Sequence, residues 1–216
     1  MRVLYFTGFI VVADQLSKLL VKGGFSVPFY GYWPGMEIGT SIPVLGDFFK
    51  LTFIENPGMA FGIDVGGKFF LTIFSTLASA GILYYLIKIR EEALVIRVSL
   101  ALILGGAIGN LIDRAFYGVI FGEGPLFYGK VVDFFDVDFF NIDLAGFHIS
   151  RWPIFNVADA AVSIGVVMLL IFHRKFTAAE DRAVVLATPD AQPAPAPPMS
   201  DPTTELHKDS PSNSQP

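Results

Sequence analysis

Two pairs of polar residues share one spacing in otherwise apolar parts of the sequence: Asn110 with Asp113, and Asn156 with Asp159. Residues three apart lie on one face of a helix, so each pair predicts a polar patch at a helix end. An ionisable group within a membrane-spanning segment costs about 2.5–3.5 kcal/mol to insert, so it usually faces a bundle interior and has a function. These residues are therefore the first candidates for chemistry.

The chemistry that this set favours is hydrolysis by paired carboxylates. If both pairs lie at one membrane depth, Asp133, from the connection between them, can reach the same place. Two carboxylates in one site cannot both ionise cheaply, so one holds a proton while the other stays charged. The charged acid takes a proton from water while the protonated acid polarises a carbonyl, which is how an aspartic dyad hydrolyses a peptide bond. Asparagines and Arg114 would orient the acids or neutralise developing charge. Spacing alone does not choose Asp133 over Asp113 or Asp136.

Other catalytic chemistries lack their motifs. The three histidines, His148, His173 and His207, are scattered, and no H-E-x-x-H motif for zinc is present. No serine lies in G-x-S-x-G, and the sequence has neither a P-loop nor G-x-G-x-x-G. The absence of cysteine excludes a thiol nucleophile and disulfides in the outer loops. We therefore expect neither a metal nor a cofactor.

Structural roles are an alternative for several of the acids. Asp14 with Gln15 could form a hydrogen-bonding pair between helices, and Asp113 beside Arg114 could be an interfacial ion pair. This alternative is weakest for Asp159, one turn into an apolar run. Three acids in the later connection are predicted to be solvated: Asp136, Asp138 and Asp143.

The elements that must position these residues are membrane helices. Of the 216 residues, 53% are hydrophobic and 16% charged, and the mean hydropathy is +0.57, too apolar for an ordinary soluble domain. Asp14 interrupts the first apolar segment and no cleavage site follows, so we expect an uncleaved helix rather than a removable signal peptide. Four segments approach the roughly 20 residues that a bilayer core requires: 3–21, 69–89, 94–113 and 155–173.

Basic residues predict the orientation of these helices. More basic residues lie at the helix ends predicted to be cytoplasmic than at the outer ends. Lys18, Lys22 and Arg114, at the outer ends, reduce this difference without reversing it. Both termini are then cytoplasmic, and the loops 22–68 and 114–154 face outward. The ends that the positive-inside tendency assigns to the cytoplasm carry Arg2, Lys88, Arg90, Arg97 and the His-Arg-Lys run at 173–175.

The connections and the tail have their own patterns. Residues 48–54 are predicted as a strand, ended by a turn at Asn56-Pro57-Gly58, whereas 131–140, "VVDFFDVDFF", fits either a strand or an interfacial segment. The Pro/Ala-rich segment 177–216 is predicted to be a disordered cytoplasmic tail. The net charge of −5, without a basic stripe, argues against nucleic-acid binding.

Five blocks of sequence, in order, resemble the lipoprotein signal peptidases, the type II signal peptidases of bacteria. The resemblance extends from about Arg2 to Lys175, with one block on or beside each spanning segment. The blocks are "ADQLSK" (13–18), "ENPGMAFG" (55–62), "GGAIGNLIDR" (105–114), "VVDF" (131–134) and "FNVADAAVSIG" (155–165).

The resemblance implies an all-α membrane protein, in which a four-helix transmembrane bundle (1–176) carries a small extracytoplasmic β-cradle. It implies an aspartic endopeptidase of the bacterial inner membrane, surrounded by lipid and needing no oligomer. Such enzymes cut prolipoproteins just before a diacylglyceryl-modified cysteine. Carried over by position, Asp133 and Asp159 form the catalytic dyad. The supporting or substrate-binding positions are Asp14, Asn56, Gly58, Asn110, Asp113, Arg114 and Asn156.

The sequence departs from the family pattern in its loops and leaves two other functions open. The stretches on both sides of Asp133 and the first outer loop are long, which closure entropy tolerates. One alternative is a small proton- or solute-coupled carrier that uses Asp14, Asp113 and Asp159 as a relay, although a relay favours acids at several depths. The other is a non-enzymatic membrane subunit whose acids hold the bundle together.

Overall fold

The computed structural model describes residues 2–58, 67–138, 142–144, 147–149 and 152–187. The chain divides into two units, Met1–Phe176 and Thr177–Pro216. The helices of the described part are α1 (Leu4–Lys22), α2 (Gly67–Lys88), α3 (Leu94–Ile112), the short α4 (Gly118–Ile120) and α5 (Val157–Ala187). The strands are β1 (Phe25–Val27), β2 (Gly31–Trp33), β3 (Ser41–Leu45), β4 (Phe49–Asn56), β5 (Val131–Val137), β6 (Ile142–Leu144) and β7 (Phe147–Ile149).

Three helices of the described part are long and apolar enough to cross a membrane: Leu4–Lys22, Phe69–Lys88 and Leu94–Ile120. The apolar part of α5, Val157–Phe172, is shorter. The four predicted apolar segments thus overlap α1, α2, α3 and α5. α5 continues past the predicted end at residue 173, and residues 177–187, the first part of the predicted tail, are helical. Their sequence, "TAAEDRAVVLA", is rich in good helix formers. Residues 188–216 lie outside the described part.

Glycines on α3 let two other helices approach closely. A Cβ on Gly105 would lie 2.9 Å from the Ile10 Cβ on α1, and one on Gly106 would collide with the Ala158 carbonyl of α5. Small residues at these positions allow backbones to pack side by side, as is common between membrane helices. α1 is joined to α3 in addition by a hydrogen bond from the Thr7 hydroxyl to the Ala101 carbonyl (2.8 Å).

The strands form three small antiparallel sheets in the described part: β1-β2, β3-β4-β5 and β6-β7. The predicted strand at 48–54 is confirmed as β4, and "VVDFFDV" is the strand β5 rather than an interfacial segment. A register shift between Leu51 and Ile54 accompanies the pairing of Ile54 with Asp133. Both faces of β5 are covered, since Phe134 packs in a core cluster while Phe135 contacts Phe155.

Asp136 is a correction to the sequence prediction. The sequence predicts a solvated loop acid, but Asp136 is 1% exposed on β5, and its carboxylate accepts a hydrogen bond from the Thr52 hydroxyl (2.5 Å). The strand pairing β4-β5 encloses it, which a loop would not do. Asp138 is half-buried, and the side chain of Asp143 lies outside the described part.

The end of α3 is irregular. Residues Asp113–Tyr117 form one π-helical turn before α4. π-helical turns of this kind are frequent at functional sites, because the inserted residue rotates the side chains that follow it. Here the turn begins at Asp113, one of the predicted site residues.

Candidate active site

The first turn of α5 is fixed by two polar groups that lie three residues apart. The Asn156 Oδ1 accepts the Asp159 backbone N–H (3.0 Å), and the Asp159 Oδ2 accepts the Asn156 backbone N–H (3.3 Å). This is a reciprocal helix cap, which satisfies donors that the helix leaves free. Asp14 of α1 accepts a further N–H, that of Ala158 (2.9 Å). The Asn-x-x-Asp spacing therefore places Asp159 in a fixed position at a helix N-terminus, where a negative charge is stabilised.

Asp133 is a buried acid on β5 beside this cap. It is 2% exposed, and its Oδ1 accepts a hydrogen bond from the Asn156 Nδ2 (2.6 Å). Its Oδ2 accepts a longer one from the Asn56 Nδ2 (3.3 Å). Asn156 consequently bonds both acids, Asp133 through its amide nitrogen and Asp159 through its backbone N–H.

Three asparagine amides have the same arrangement around the two acids. In each, a separate donor occupies Oδ1, which leaves Nδ2 to donate to a carboxylate. The Asn56 Oδ1 accepts a hydrogen bond from the Gly58 N–H (2.9 Å), and the Asn156 Oδ1 accepts one from the Asp159 N–H. The Asn110 Oδ1 accepts one from the Lys18 ammonium (2.9 Å). The Asn110 Nδ2 then donates to the Asp159 Oδ1 at 2.7 Å. Gly58 performs this role at φ +94°, a conformation that favours glycine.

Asp113 does not pair with Arg114, which corrects the predicted local partnership. Its carboxylate contacts the Lys18 ammonium (2.8 Å), the Gln15 Nε2 (2.9 Å) and the Val132 N–H (3.2 Å). No ion pair joins Asp113 and Arg114 within the described residues, because Asp113 faces α1. Gln15 also donates to Asp14 (3.1 Å) and to the Gly109 carbonyl of α3 (3.1 Å), so the predicted hydrogen bonding between helices is confirmed.

Electrostatics distinguish the two candidate acids. Burial, followed by the negative charge of Asp159, raises the pKa of the Asp133 carboxyl from its ordinary value to about 7. Asp159 is only half-buried and accepts hydrogen bonds from two donors. The half-buried Arg114 donates to the Asn110 carbonyl (3.4 Å) and lies close enough to Asp133 and Asp159 to interact with their charges.

A cavity of about 360 Å³ opens directly beside Asp159. It extends along α5 for more than one turn beyond this acid, and most of its lining is apolar. The lining residues are Trp152, Phe155, Asp159, Ala160, Ser163 and Ile164. The half-buried acid thus faces a space that can hold an apolar group. No set of three or more His, Cys, Asp or Glu side chains in the described residues is placed to hold a metal ion.

The structure brings the predicted site residues together where the middle of α1, the end of α3 and the start of α5 meet. Asp133, Asp159, Asn56, Asn110 and Asn156 form the hydrogen-bonded centre, with Gly58 behind Asn56. Arg114 bonds the Asn110 carbonyl, whereas Asp14 and Asp113 are linked to this centre through Lys18 and through the Ala158 and Val132 N–H groups. Sequence reasoning missed Lys18 as part of the site; its i+4 spacing from Asp14, typical of a helical ion pair, was the available signal.

Comparison with known proteins identifies the family of the chain. The family model described as signal peptidase (SPase) II matches residues 6–175. The chain belongs to the signal peptidase II family. The resemblance seen in the five sequence blocks is thereby confirmed, and the chain is an enzyme of the aspartic peptidase type.

Two curated relatives and one solved structure give the extent of this similarity. The lipoprotein signal peptidase of Syntrophus aciditrophicus is 39% identical over 171 residues, covering 76% of this chain and 86% of the relative. That of Pelodictyon phaeoclathratiforme is 39% identical over 140 residues, covering 65% of this chain and 76% of the relative. A bacterial membrane enzyme, determined by the in meso method at 2.3 Å resolution, superposes with TM-score 0.62 at 30% identity, covering 82% of this chain and 89% of the other.

Proposed function

We propose that this protein is a membrane aspartic endopeptidase that removes the signal peptide from diacylglyceryl-modified prolipoproteins, cutting just before the lipidated cysteine. Membership of the signal peptidase II family supports the reaction and the prolipoprotein substrate. One structural observation carries the mechanism: Asn156 bonds Asp133 and Asp159 at once, so that two carboxylates of unequal burial share one site.

In this mechanism the two acids have opposite tasks. Asp133, whose pKa is raised to about 7 by burial and by its neighbour, holds a proton near neutral pH. Asp159, at the helix N-terminus and half-exposed toward the cavity, is the charged partner. Two acids with such different surroundings are suited to acid and base roles in one reaction.

The bond changes follow from these roles. Asp159 takes a proton from a water molecule, whose oxygen attacks the scissile carbonyl carbon, while Asp133 gives its proton to the carbonyl oxygen. The tetrahedral diol then collapses as the C–N bond breaks: Asp159 returns its proton to the leaving amine nitrogen, and Asp133 takes one from the diol. Asn56, Asn110 and Asn156 hold the carboxylates in place throughout, and Arg114 offsets the negative charge that develops.

We propose a four-span topology with both termini in the cytoplasm and the site near the outer face of the bacterial inner membrane. The apolar part of α5 is the fourth span, and the tail from residue 177 lies in the cytoplasm. In support, the basic residues Lys88, Arg90 and Arg97 lie at the helix ends opposite the site. Sheet β3-β4-β5, which carries Asp133, would form the cradle on the outer face. The exposed apolar side chains of α1 and α2, such as Phe9 and Phe74, would contact lipid.

Depth and lining suit the site to a lipid-anchored peptide. The cavity beside Asp159 continues along α5 among apolar groups, including Ile164, so an apolar part of the substrate can lie in the membrane while the scissile bond meets water. A carrier would require acids at several depths, whereas Asp14, Asp113, Asp133 and Asp159 form one connected cluster.

The direct test is a gel-shift cleavage assay in detergent with matched prolipoproteins, one diacylglyceryl-modified at its cysteine and one unmodified. We expect the wild type to cleave only the lipidated form, and Asp159→Asn to cleave neither. No cleavage by the folded wild-type protein would refute the proposal. Equal cleavage of both substrates would refute the requirement for the lipid.

A further inference from the structure

Lys18 is a fully buried lysine whose position the dyad chemistry does not explain. Its side chain is 0% exposed and lies within hydrogen-bonding distance of three acceptors: Asp14 Oδ2 (2.8 Å), Asp113 Oδ2 (2.8 Å) and Asn110 Oδ1 (2.9 Å). An ammonium group has three N–H bonds, so this set uses all of its donors. Lysine is almost never buried without such pairing, because the uncompensated charge would be costly.

Each partner of Lys18 makes a second contact with a part of the proposed dyad. The Asp14 and Asp113 carboxylates each accept a hydrogen bond from the backbone N–H of the residue before a proposed catalytic acid. The Asn110 amide donates to the proposed catalytic carboxylate of Asp159 itself. These contacts are Ala158 N–H to Asp14 Oδ1 (2.9 Å), Val132 N–H to Asp113 Oδ2 (3.2 Å) and Asn110 Nδ2 to Asp159 Oδ1 (2.7 Å).

We propose that Lys18 is a positioning residue of the active site, which fixes the start of α5, the start of β5 and the Asp159 carboxylate through three separate partners. The proposal rests on the function proposed above. Its strongest element is the Asn110 amide. A reversed amide would turn its NH₂ toward the Lys18 ammonium and its oxygen toward the Asp159 carboxylate, so both contacts would become repulsive. Lys18 therefore keeps a donor pointed at Asp159, together with Asn156, whose Nδ2 also reaches the Asn110 Oδ1 (3.1 Å).

A simpler role for Lys18 would be to offset the charge of two buried acids. Lys18 carries one positive charge and Asp14 and Asp113 carry two negative charges, so the ionised trio has a net charge of −1. The double variant Lys18→Met/Asp113→Asn removes one charge of each sign and keeps this total. Comparing the double variant with Asp113→Asn therefore separates a positioning role of Lys18 from a role in charge balance alone.

Lys22 supplies the matched control, because it is the lysine one turn further along α1. It pairs with Glu55 and with Glu123 (2.5 Å), and Glu55 keeps Lys130 (2.5 Å) when Lys22 is removed. None of these residues contacts Asp133 or Asp159 through a hydrogen bond in the described part of the chain. Lys22→Met is therefore expected to leave cleavage of lipidated prolipoprotein unchanged.

The experiment measures kcat and KM for cleavage of lipidated prolipoprotein, together with the thermal unfolding temperature, in the wild type and these variants. We expect Lys18→Met to lower kcat roughly 100-fold with little change in KM, since small displacements of a catalytic group cost rates of this order. The double variant is expected to regain thermal stability but to remain roughly 100-fold below Asp113→Asn in kcat. It decides the question even if the single variant does not fold.

Two results would overturn the proposal while leaving the protease function intact. One is a folded Lys18→Met protein that cleaves at the wild-type rate. The other is a double variant as active as Asp113→Asn, which would mean that Lys18 only balances charge. A folded wild-type protein without cleavage would instead refute the proposed function, and the positioning role with it.

Discussion

Asn156 offers a substitution that separates its two structural tasks. Its Oδ1 caps α5 by accepting the Asp159 N–H, while its Nδ2 donates to Asp133 (2.6 Å). Serine can cap a helix about as well as asparagine, but it has no amide to reach Asp133. Alanine loses both contacts. The pair Asn156→Ser and Asn156→Ala therefore tests the cap and the bridge independently.

The magnitudes follow from the contacts that are lost. Asp133 becomes charged as it gives up its proton in the transition state, and a hydrogen bond to a charged group contributes about 1.5–3 kcal/mol, which corresponds to roughly 10- to 150-fold in rate. Both variants should lose this much in kcat/KM. Loss of a cap costs about 0.5–2 kcal/mol, so Asn156→Ala should be less stable than Asn156→Ser by about 1 kcal/mol.

The assay combines cleavage of lipidated prolipoprotein with thermal or denaturant unfolding in the same detergent. A serine variant that cleaves at the wild-type rate would show that the bond from Asn156 to Asp133 has no catalytic value. Equal stability of the serine and alanine variants would show that the cap at Asp159 does not contribute to folding. Either result would refute the corresponding part of the reasoning.

Three further predictions concern stability. The folded protein holds the Asp133 proton up to about pH 7, whereas the unfolded chain releases it near its ordinary pKa of 3.8. Relative to Asp133→Asn, the wild type should therefore lose stability as pH rises from about 4 to 7, so above pH 7 the variant should be more stable by up to about 4 kcal/mol; parallel pH curves would contradict this. Gly106→Ala should lower the free energy of unfolding by about 1–3 kcal/mol because the added Cβ meets the backbone of α5. Gly81→Ala, which has open space beside it on α2, should raise the free energy of unfolding by about 0.5–1 kcal/mol. Similar effects at both sites in unfolding assays would argue against the close packing at Gly106. Thr52→Val should lower the free energy of unfolding by about 1–3 kcal/mol because it removes the hydroxyl that donates to the buried Asp136. Thr52→Ser keeps a hydroxyl and should not lose this stability, so an equal loss in both variants would exclude the hydroxyl as its source.

The helices and one strand could be predicted because their patterns are local. Apolar length predicts segments that overlap α1, α2, α3 and α5, and β-branched and aromatic residues next to a turn predict β4. β5 stayed ambiguous because both of its faces are buried, which removes the alternation of apolar and polar residues. The same burial explains why Asp136, in a Phe- and Asp-rich stretch, was wrongly predicted to be solvated.

The site could be predicted in composition but not in its contacts. The Asn-x-x-Asp spacing indicated a polar patch, yet the reciprocal cap and the bridge to Asp133 depend on where β5 lies against α5. The sequence indicates Lys18 only as a charge at a helix end, because its burial depends on two acids that come from different helices. The π-helical turn at Asp113–Tyr117 has no sequence signature of its own. It begins at Asp113, whose carboxylate contacts Lys18 of α1 and does not pair with Arg114.

The central claim is that Asp133 and Asp159 together activate water, and its most direct test compares three single substitutions. Asp136 is the control for Asp133, since both are buried acids on β5, 1% and 2% exposed, and only Asp133 is bonded to Asn156. In cleavage of lipidated prolipoprotein, we predict that Asp133→Asn and Asp159→Asn each lose about 10²–10⁴-fold in kcat, while folded Asp136→Asn retains the wild-type rate. Wild-type cleavage by either of the first two variants, or an equal loss in Asp136→Asn, would contradict the account.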